Sequence, residues 1–220
     1  LALICFVDMH IMTTRTGLAG LYITIFLMGM AYLVRNRRFI LAIALCIGLT
    51  AMPIIGYYSV KSFQYRIDNT IFDVREYFEG SDPNYLSIGT RIESWKTAIH
   101  LWKTQPMLGV GMADLKSDMT DQYVIDQTRL CPENFVQPHN QFIQNLAGWG
   151  VLGFVLLTIA WFYPVFAKSW PKGPLFWAFW LTFSLAMMGE STMERQVGVC
   201  FMVTMYMLSL GIGHLDKPQK

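Results

Sequence analysis

The sequence is short of charge. Asp, Glu, Lys and Arg make up 15% of its 220 residues, against about 25% in soluble domains. Hydrophobic residues make up 54%, and three long blocks, 17–34, 39–58 and 141–163, contain no charged residue. This pattern excludes an ordinary soluble domain and predicts an all-α integral membrane protein that crosses the bilayer several times.

Metal-binding and redox motifs are also missing. The sequence has four cysteines but no CxxC motif and no Cys/His spacing of the kind that holds a metal. It has no basic patch of the kind that binds nucleic acid. We therefore expect no metal site, no cofactor and no nucleic-acid partner, and we interpret the cysteines as small buried hydrophobic residues.

Two further apolar blocks, at about 174–189 and at 196–213, bring the predicted number of complete spans to five. Residues 1–12 are typical of the end of another span, because the chain opens inside an apolar run. We therefore expect the sequence to be the C-terminal part of a longer protein.

The distribution of basic residues predicts the orientation. Outside residues 61–140, seven of the nine basic residues fall on one side of an alternating topology, which is the cytoplasmic side by the positive-inside rule. The segment 61–140 has 8 basic and 11 acidic residues and is predicted to lie on the outer side. Arg15 and Arg195 are the two exceptions, since both fall on that outer side. The predicted domains are transmembrane helices at 1–60 (one partial, two complete), an outer loop domain at 61–140, and three transmembrane helices with a short cytoplasmic tail at 141–220.

The outer loop is too long for a simple connection, so we expect it to be ordered and functional. Thr90 to Glu93 match a capping box, which predicts that a helix starts at Thr90. Four apolar residues then fall on one helical face: Ile92, Trp95, Ile99 and Trp102. Arg91 projects near the edge of this face, where a charge needs a partner. The alternative is an arginine that extends its charge to water.

A second element of the loop leads directly into the span 141–163. Asn140 is a good N-cap and Pro138 fixes the approach to the helix. His139 then lies beside the positive end of a helix, which favours the neutral, proton-accepting imidazole. The alternative is a histidine with only a structural hydrogen-bonding role.

The third element is the short outer turn 189–196. Charges so close to hydrocarbon face a cavity or one another; in the second case Glu190 or Glu194 pairs with Arg195. Together with Arg15, Arg91 and His139, this turn reaches the same membrane face. Such a set predicts a site for an anionic, membrane-borne ligand. Arginine suits a diphosphate, because its planar group makes bidentate, charge-assisted hydrogen bonds.

Four stretches, taken in order, resemble the C-terminal half of the bacterial O-antigen ligase family. They are TRTG at 14–17, IGTR at 88–91 with PMLGVG at 106–111, PHN at 138–140 with GWGVLG at 148–153, and the Glu190 to Arg195 turn. This family shares a superfamily with O-antigen polymerases and protein O-glycosylation ligases.

The resemblance implies a multi-spanning helical bundle of glycosyltransferase C type in the bacterial inner membrane, with a large, partly helical periplasmic loop and a periplasmic active face. It implies transfer of a glycan from undecaprenyl diphosphate to the lipid A–core saccharide, inverting and metal-independent. The sequence agrees, because it has no Asp-x-Asp pair to hold a divalent ion.

The resemblance also implies roles for residues. Arg15 and Arg91 correspond to the family's essential arginines and would hold the diphosphate, and His139 would be the base. The candidate substrate-binding residues are Arg195, Glu190, Asn140 and Trp95.

Several alternatives stay open. A polymerase would use the same donor with another glycan as acceptor, and a protein O-oligosaccharyltransferase would use a protein. A transporter is a more remote alternative, because the polar residues gather on one face and not at the midplane that a carrier needs. A non-catalytic membrane scaffold is the last.

Overall fold

The computed structural model describes residues 15–167, 170 and 173–215, and for residues 15, 16 and 212–215 it describes the backbone only. Every regular element in these ranges is helical. The α-helices are α1 (Arg15–Arg35), α2 (Phe39–Ser59), α3 (Lys61–Glu79), α4 (Ser87–Thr104), α5 (Leu115–Ile125), α6 (Gln141–Phe166), α7 (Pro174–Gly189) and α8 (Gln196–Leu215). Short 3-10 turns lie at Pro83–Tyr85, Pro132–Asn134 and Thr192–Glu194. The predicted all-α class is confirmed.

All five predicted spans are helices. Three of them, α1, α2 and α6, are long and apolar enough to cross a membrane. Helix α7 has 16 residues, or about 24 Å at 1.5 Å per residue, and is shorter than the ~30 Å hydrocarbon core. The crossing of the membrane by α7 and α8 stays a prediction, as do the boundaries of the three predicted domains. The partial span at 1–12 lies outside the described residues.

The described chain forms two compact units. The first contains residues 15–69, 173–186 and 200–215. In it α1 packs against α2, and the hydroxyls of Thr24 and Thr182, 3.0 Å apart, join α1 to α7. Large apolar side chains remain exposed on α2, such as Ile40 at 84%. Such a surface suits contact with lipid.

The second unit contains residues 70–167, 170 and 187–199. It therefore joins most of the predicted outer loop to α6 and to the turn after α7. Its core consists of Ala98, Leu101, Leu115, Met119, Tyr123, Leu130 and Ala147. The loop is thus ordered, around a hydrophobic core that α4, α5 and α6 share.

Helix α6 is interrupted at Gly150, whose φ of 62° and ψ of −168° are a combination that essentially only glycine adopts. The segment Pro106–Gly111 lies against this break and makes four backbone hydrogen bonds to it. Val110 N and Gly111 N donate to the carbonyls of Ala147 and Gly148, and Val151 N and Leu152 N donate to those of Pro106 and Met107, at 2.9–3.2 Å. The approach is close: a Cβ on Gly150 would stand 2.4 Å from the backbone of Met107. The loop thus satisfies backbone groups that the break leaves unpaired.

The predicted capping box at Thr90 to Glu93 is wrong. Helix α4 begins at Ser87, one turn earlier, and its N-cap Leu86 makes no side-chain capping bond. The carboxylate of Asp73, on α3, accepts from Ile88 N at 3.4 Å. Glu93 instead accepts the hydroxyl of Tyr77, also on α3, at 2.6 Å. Neighbouring α3 therefore supplies the partners that the sequence assigned to a local box.

The predicted buried face of α4 is displaced by about one position. The residues that the structure buries on this helix are Gly89, Glu93, Ser94, Thr97, Ala98 and Leu101. The predicted set, Ile92, Trp95, Ile99 and Trp102, is only half-buried. Small residues occupy the buried face because α4 packs closely on α6.

Candidate active site

The carboxylate of Glu190, just after α7, lies between Arg91 and His139. Arg91 Nη2 is 2.9 Å from Glu190 Oε1, and His139 Nδ1 is 3.0 Å from Glu190 Oε2. Arg91 Nη1 also donates to the carbonyl of Gly189 at 2.8 Å. Three segments far apart in sequence therefore meet at one carboxylate, and Arg91 has the partner that its position on α4 required.

The start of α6 holds His139 in place. Asn140 caps the helix, since its side-chain oxygen accepts from the amides of Phe142 and Ile143 at 3.0 and 3.1 Å. The predicted N-cap is confirmed. Asn140 Nδ2 also donates to the carbonyl of Met188 at 2.9 Å. The imidazole is thus attached to a rigid helix start that is tied to the end of α7.

Three amide side chains in the first turns of α6, Gln141, Gln144 and Asn145, are almost fully buried. Gln141 Oε1 accepts from Met193 N at 2.7 Å. The hydroxyl of Ser191 donates to the carbonyl of Pro138 at 2.7 Å and also contacts the amide of Gln144. These bonds fix the turn after α7 on α6, and with it the position of Glu190.

Glu190 is ionised at neutral pH. Its partial burial favours the protonated form, but hydrogen bonds and charges from His139 and Arg91 outweigh this and hold the pKa of Glu190 below its usual range. Because an ionised carboxylate only accepts, the Nδ1 of a neutral His139 carries the proton and donates. The other ring nitrogen, Nε2, is then left as a proton acceptor.

His139 and Glu190 open into a pocket of about 400 Å³. Its other lining residues are Lys116, Val136, Gln137, Pro138, Ser191, Glu194 and Arg195. Within the described part of the chain, the side chains of Arg195 and Lys116 have no hydrogen bond or ion pair. The expected alternative, in which Glu190 or Glu194 pairs with Arg195, is therefore not found. The pocket combines an oriented imidazole with two free cationic groups.

The structure brings together four of the seven predicted site residues, Arg91, His139, Asn140 and Glu190, and places Arg195 in the wall of the same pocket. Trp95 is half-buried and does not line it; its indole N–H is enclosed without an acceptor among the described residues. Arg15 begins α1, and its side chain lies outside the described residues. Substrate binding by Trp95 and the inward direction of Arg15 stay predictions.

Sequence reasoning missed Lys116 and the buried amides. The amides had a readable signal, because three of them at 141, 144 and 145 share one face of an otherwise apolar span. Lys116 had none, since one lysine among several in a charged loop is unremarkable in sequence. No three His, Cys, Asp or Glu side chains converge as a metal site would require, within the residues the structure describes.

Comparison with known proteins agrees with this architecture. The family model described as O-Antigen ligase matches residues 1–158. An uncharacterised protein of Haemophilus influenzae is 26% identical over 133 residues, which cover 60% of this chain and 32% of that protein. The chain thus spans about a third of the length of this curated relative. With nearly three quarters of its residues matched by the family model, the chain belongs to the O-antigen ligase family.

Proposed function

We propose that the protein transfers a glycan from undecaprenyl diphosphate to an acceptor at the periplasmic face of the bacterial inner membrane, and that the acceptor is the lipid A–core saccharide. The observation that carries this proposal is the chain of contacts from Arg91 through Glu190 to His139, which opens into a pocket with free cations. Membership of the O-antigen ligase family supports glycosyl transfer in general terms.

His139 is the general base in this proposal. Its Nε2 takes the proton of the acceptor hydroxyl while that oxygen bonds to the anomeric carbon of the donor sugar. The bond between this carbon and the diphosphate oxygen breaks, and undecaprenyl diphosphate leaves with the electron pair. Attack from the opposite face inverts the anomeric configuration. Glu190 holds the imidazole in the required tautomer and stabilises the positive charge that His139 gains.

Arginines stabilise the charge that develops on the leaving diphosphate. Arg91 uses two of its five N–H donors on Gly189 and Glu190, so three remain for a phosphate oxygen. Arg195 has all of its donors free, and Arg15 is the third arginine. Fixed cations at the site of developing charge lower the barrier without reorganisation. The proposed reaction therefore needs no metal ion.

Complementation tests the proposal. The full-length gene is expressed in a strain that lacks its O-antigen ligase, as wild type, His139→Ala or Arg91→Ala, with His100→Ala as a matched control. His100 is an exposed histidine on α4 that bonds Asp126 and does not line the pocket. We expect wild type and His100→Ala to restore polymer-bearing lipopolysaccharide, and the two site variants to lose it.

Two results would contradict the proposal. Restored lipopolysaccharide in both site variants, at normal expression, would show that the site is elsewhere. Longer lipid-linked polymer that is not attached to core, made by the wild type, would identify a polymerase instead.

A further inference from the structure

Lys116 is the second residue of α5, and the packing of that helix determines where its side chain lies. Leu115 and Met119 are buried in the core of the second unit, at 0% and 2% exposure. Because they anchor the first turn of α5, the backbone of the neighbouring Lys116 has a fixed position.

Lys116 is an exposed residue that lines two neighbouring pockets. It lines the pocket that contains His139 and Glu190. It also lines a smaller adjoining cavity of about 40 Å³, with Tyr123 and Phe135. Val136 and Gln137 line both cavities as well, so Lys116 lies where the two cavities meet.

The ammonium group of Lys116 lacks a counter-ion in the described part of the chain. The two carboxylates of the pocket are both engaged elsewhere: Glu190 binds Arg91 and His139, and Glu194 accepts from Gln141 Nε2 at 3.4 Å. Lys96 of the same unit shows the contrast, since it binds Glu93 at 3.2 Å. A cation without a protein partner, in a pocket beside a candidate base, is suited to an anionic ligand.

We infer that Lys116 binds the diphosphate of the lipid-linked donor, together with Arg195 from the turn after α7. This inference rests on the proposed function and adds a residue that the family resemblance does not supply. An ammonium group is a compact point charge with three donors, which suits phosphate oxygens that approach from several directions. Lys116 and Arg195 thus add two cations to Arg91, which also positions Glu190.

Binding to sugar-free undecaprenyl diphosphate tests the inference directly. The dissociation constant is measured with the full-length protein in lipid nanodiscs, for wild type, Lys116→Gln and Lys116→Arg. Lys103→Gln is the matched control, because Lys103 is an exposed lysine at the end of α4, outside both cavities. Since Lys116→Gln removes a charge-assisted hydrogen bond to the diphosphate, we expect it to weaken binding at least about tenfold. Lys116→Arg restores most of the affinity, and Lys103→Gln leaves it unchanged.

Transfer kinetics separate this inference from the proposed function. For Lys116→Gln we expect a raised KM for the donor and an unchanged KM for the acceptor. An unchanged affinity for undecaprenyl diphosphate, or a raised KM for the acceptor alone, overturns the role of Lys116 while glycosyl transfer stands. If the wild type binds undecaprenyl diphosphate through Lys116 but transfers no glycan, the proposed function fails instead. A Lys116→Gln protein that does not fold is replaced by Lys116→Met, which keeps the aliphatic stem.

Discussion

Two carboxylates in the second unit each collect several donors, yet their surroundings differ. Glu93 accepts from the hydroxyls of Tyr77 and Thr128 at 2.6 and 3.2 Å and from Lys96 at 3.2 Å, and Arg129 lies 3.6 Å away. Its side chain is 10% exposed. Glu190 has two partners, Arg91 and His139, and its side chain is 35% exposed.

The difference separates a structural ion cluster from a candidate site. Glu93 has donors from α3, from its own helix and from residues 128 and 129, so it fixes loop segments to one another and leaves no room for a ligand. Glu190 faces a pocket on one side and orients the imidazole of His139, which can take a proton there. We therefore expect changes at Glu190 to affect activity and changes at Glu93 to affect stability.

The largest effect should follow from Glu190→Gln. The amide keeps the shape but replaces one accepting oxygen with a donating nitrogen, which then faces either Arg91 or His139. If the new nitrogen faces His139, Nδ1 must accept and the proton moves to Nε2, which can then no longer act as the base. If the nitrogen faces Arg91, two hydrogen-bond donors point at each other. We expect kcat for glycosyl transfer to fall on the order of 100-fold, with little change in the apparent Tm.

Glu133→Gln is the control for this experiment, since Glu133 is an exposed carboxylate of the outer loop that does not line the pocket. It should alter neither kcat nor Tm. A Glu190→Gln protein with wild-type kcat would show that the carboxylate does not orient the base. It would also contradict the assignment of Glu190 to the active site and of Glu93 to a structural cluster.

Glu93→Gln should have the second-largest effect, and on stability. The change weakens a buried bond to Tyr77 and leaves two basic side chains without a counter-ion. Because Lys96 and Arg129 are 55% and 45% exposed, water recovers much of their solvation. We expect a loss of about 1–3 kcal/mol, measured as a lower apparent Tm of the purified protein. A fall in kcat at unchanged Tm would contradict a structural role.

Lowering the pH should destabilise the protein through both Glu93 and Glu190, by less than the substitutions do. Burial favours the protonated form of Glu93, but bonds from Tyr77, Lys96 and Thr128 outweigh this and lower its pKa; the pKa of Glu190 is lowered as well. A carboxyl with a lower pKa in the folded protein contributes stability that is complete above its unfolded pKa, about 4.5, and is lost as the pH falls through the folded pKa.

The apparent Tm should therefore fall as the pH is lowered below about 4.5. Glu93→Gln should reduce this acid sensitivity more than Glu190→Gln does, because Glu93 is less exposed and has more donors. A larger reduction in Glu190→Gln would reverse the assignment of the two clusters.

The sequence allowed a correct prediction wherever a local pattern decides the structure. The apolar blocks predicted five helices, and Asn140 before an apolar run predicted the N-cap of α6. Sequence could not assign the partners of Glu93 and Arg91, because both depend on tertiary contacts. Glu93 turned out to bind Tyr77, 16 residues earlier, and Arg91 binds Glu190, 99 residues later. In a capping box Glu93 would accept from the backbone amide of Thr90. It accepts the buried hydroxyl of Tyr77, from neighbouring α3, instead.

The break at Gly150 has a consequence for how the protein is made. About nine residues, or 14 Å at 1.5 Å per residue, separate this break from the start of α6, a helix long and apolar enough to cross a membrane. The bilayer interior has no water to bond exposed backbone groups. The segment Pro106–Gly111 that bonds to it is synthesised earlier than α6. The segment that completes the hydrogen bonding of α6 is therefore present before the helix is made. The backbone hydrogen bonds that α6 lacks at its break are therefore completed by a segment that precedes this helix in the chain.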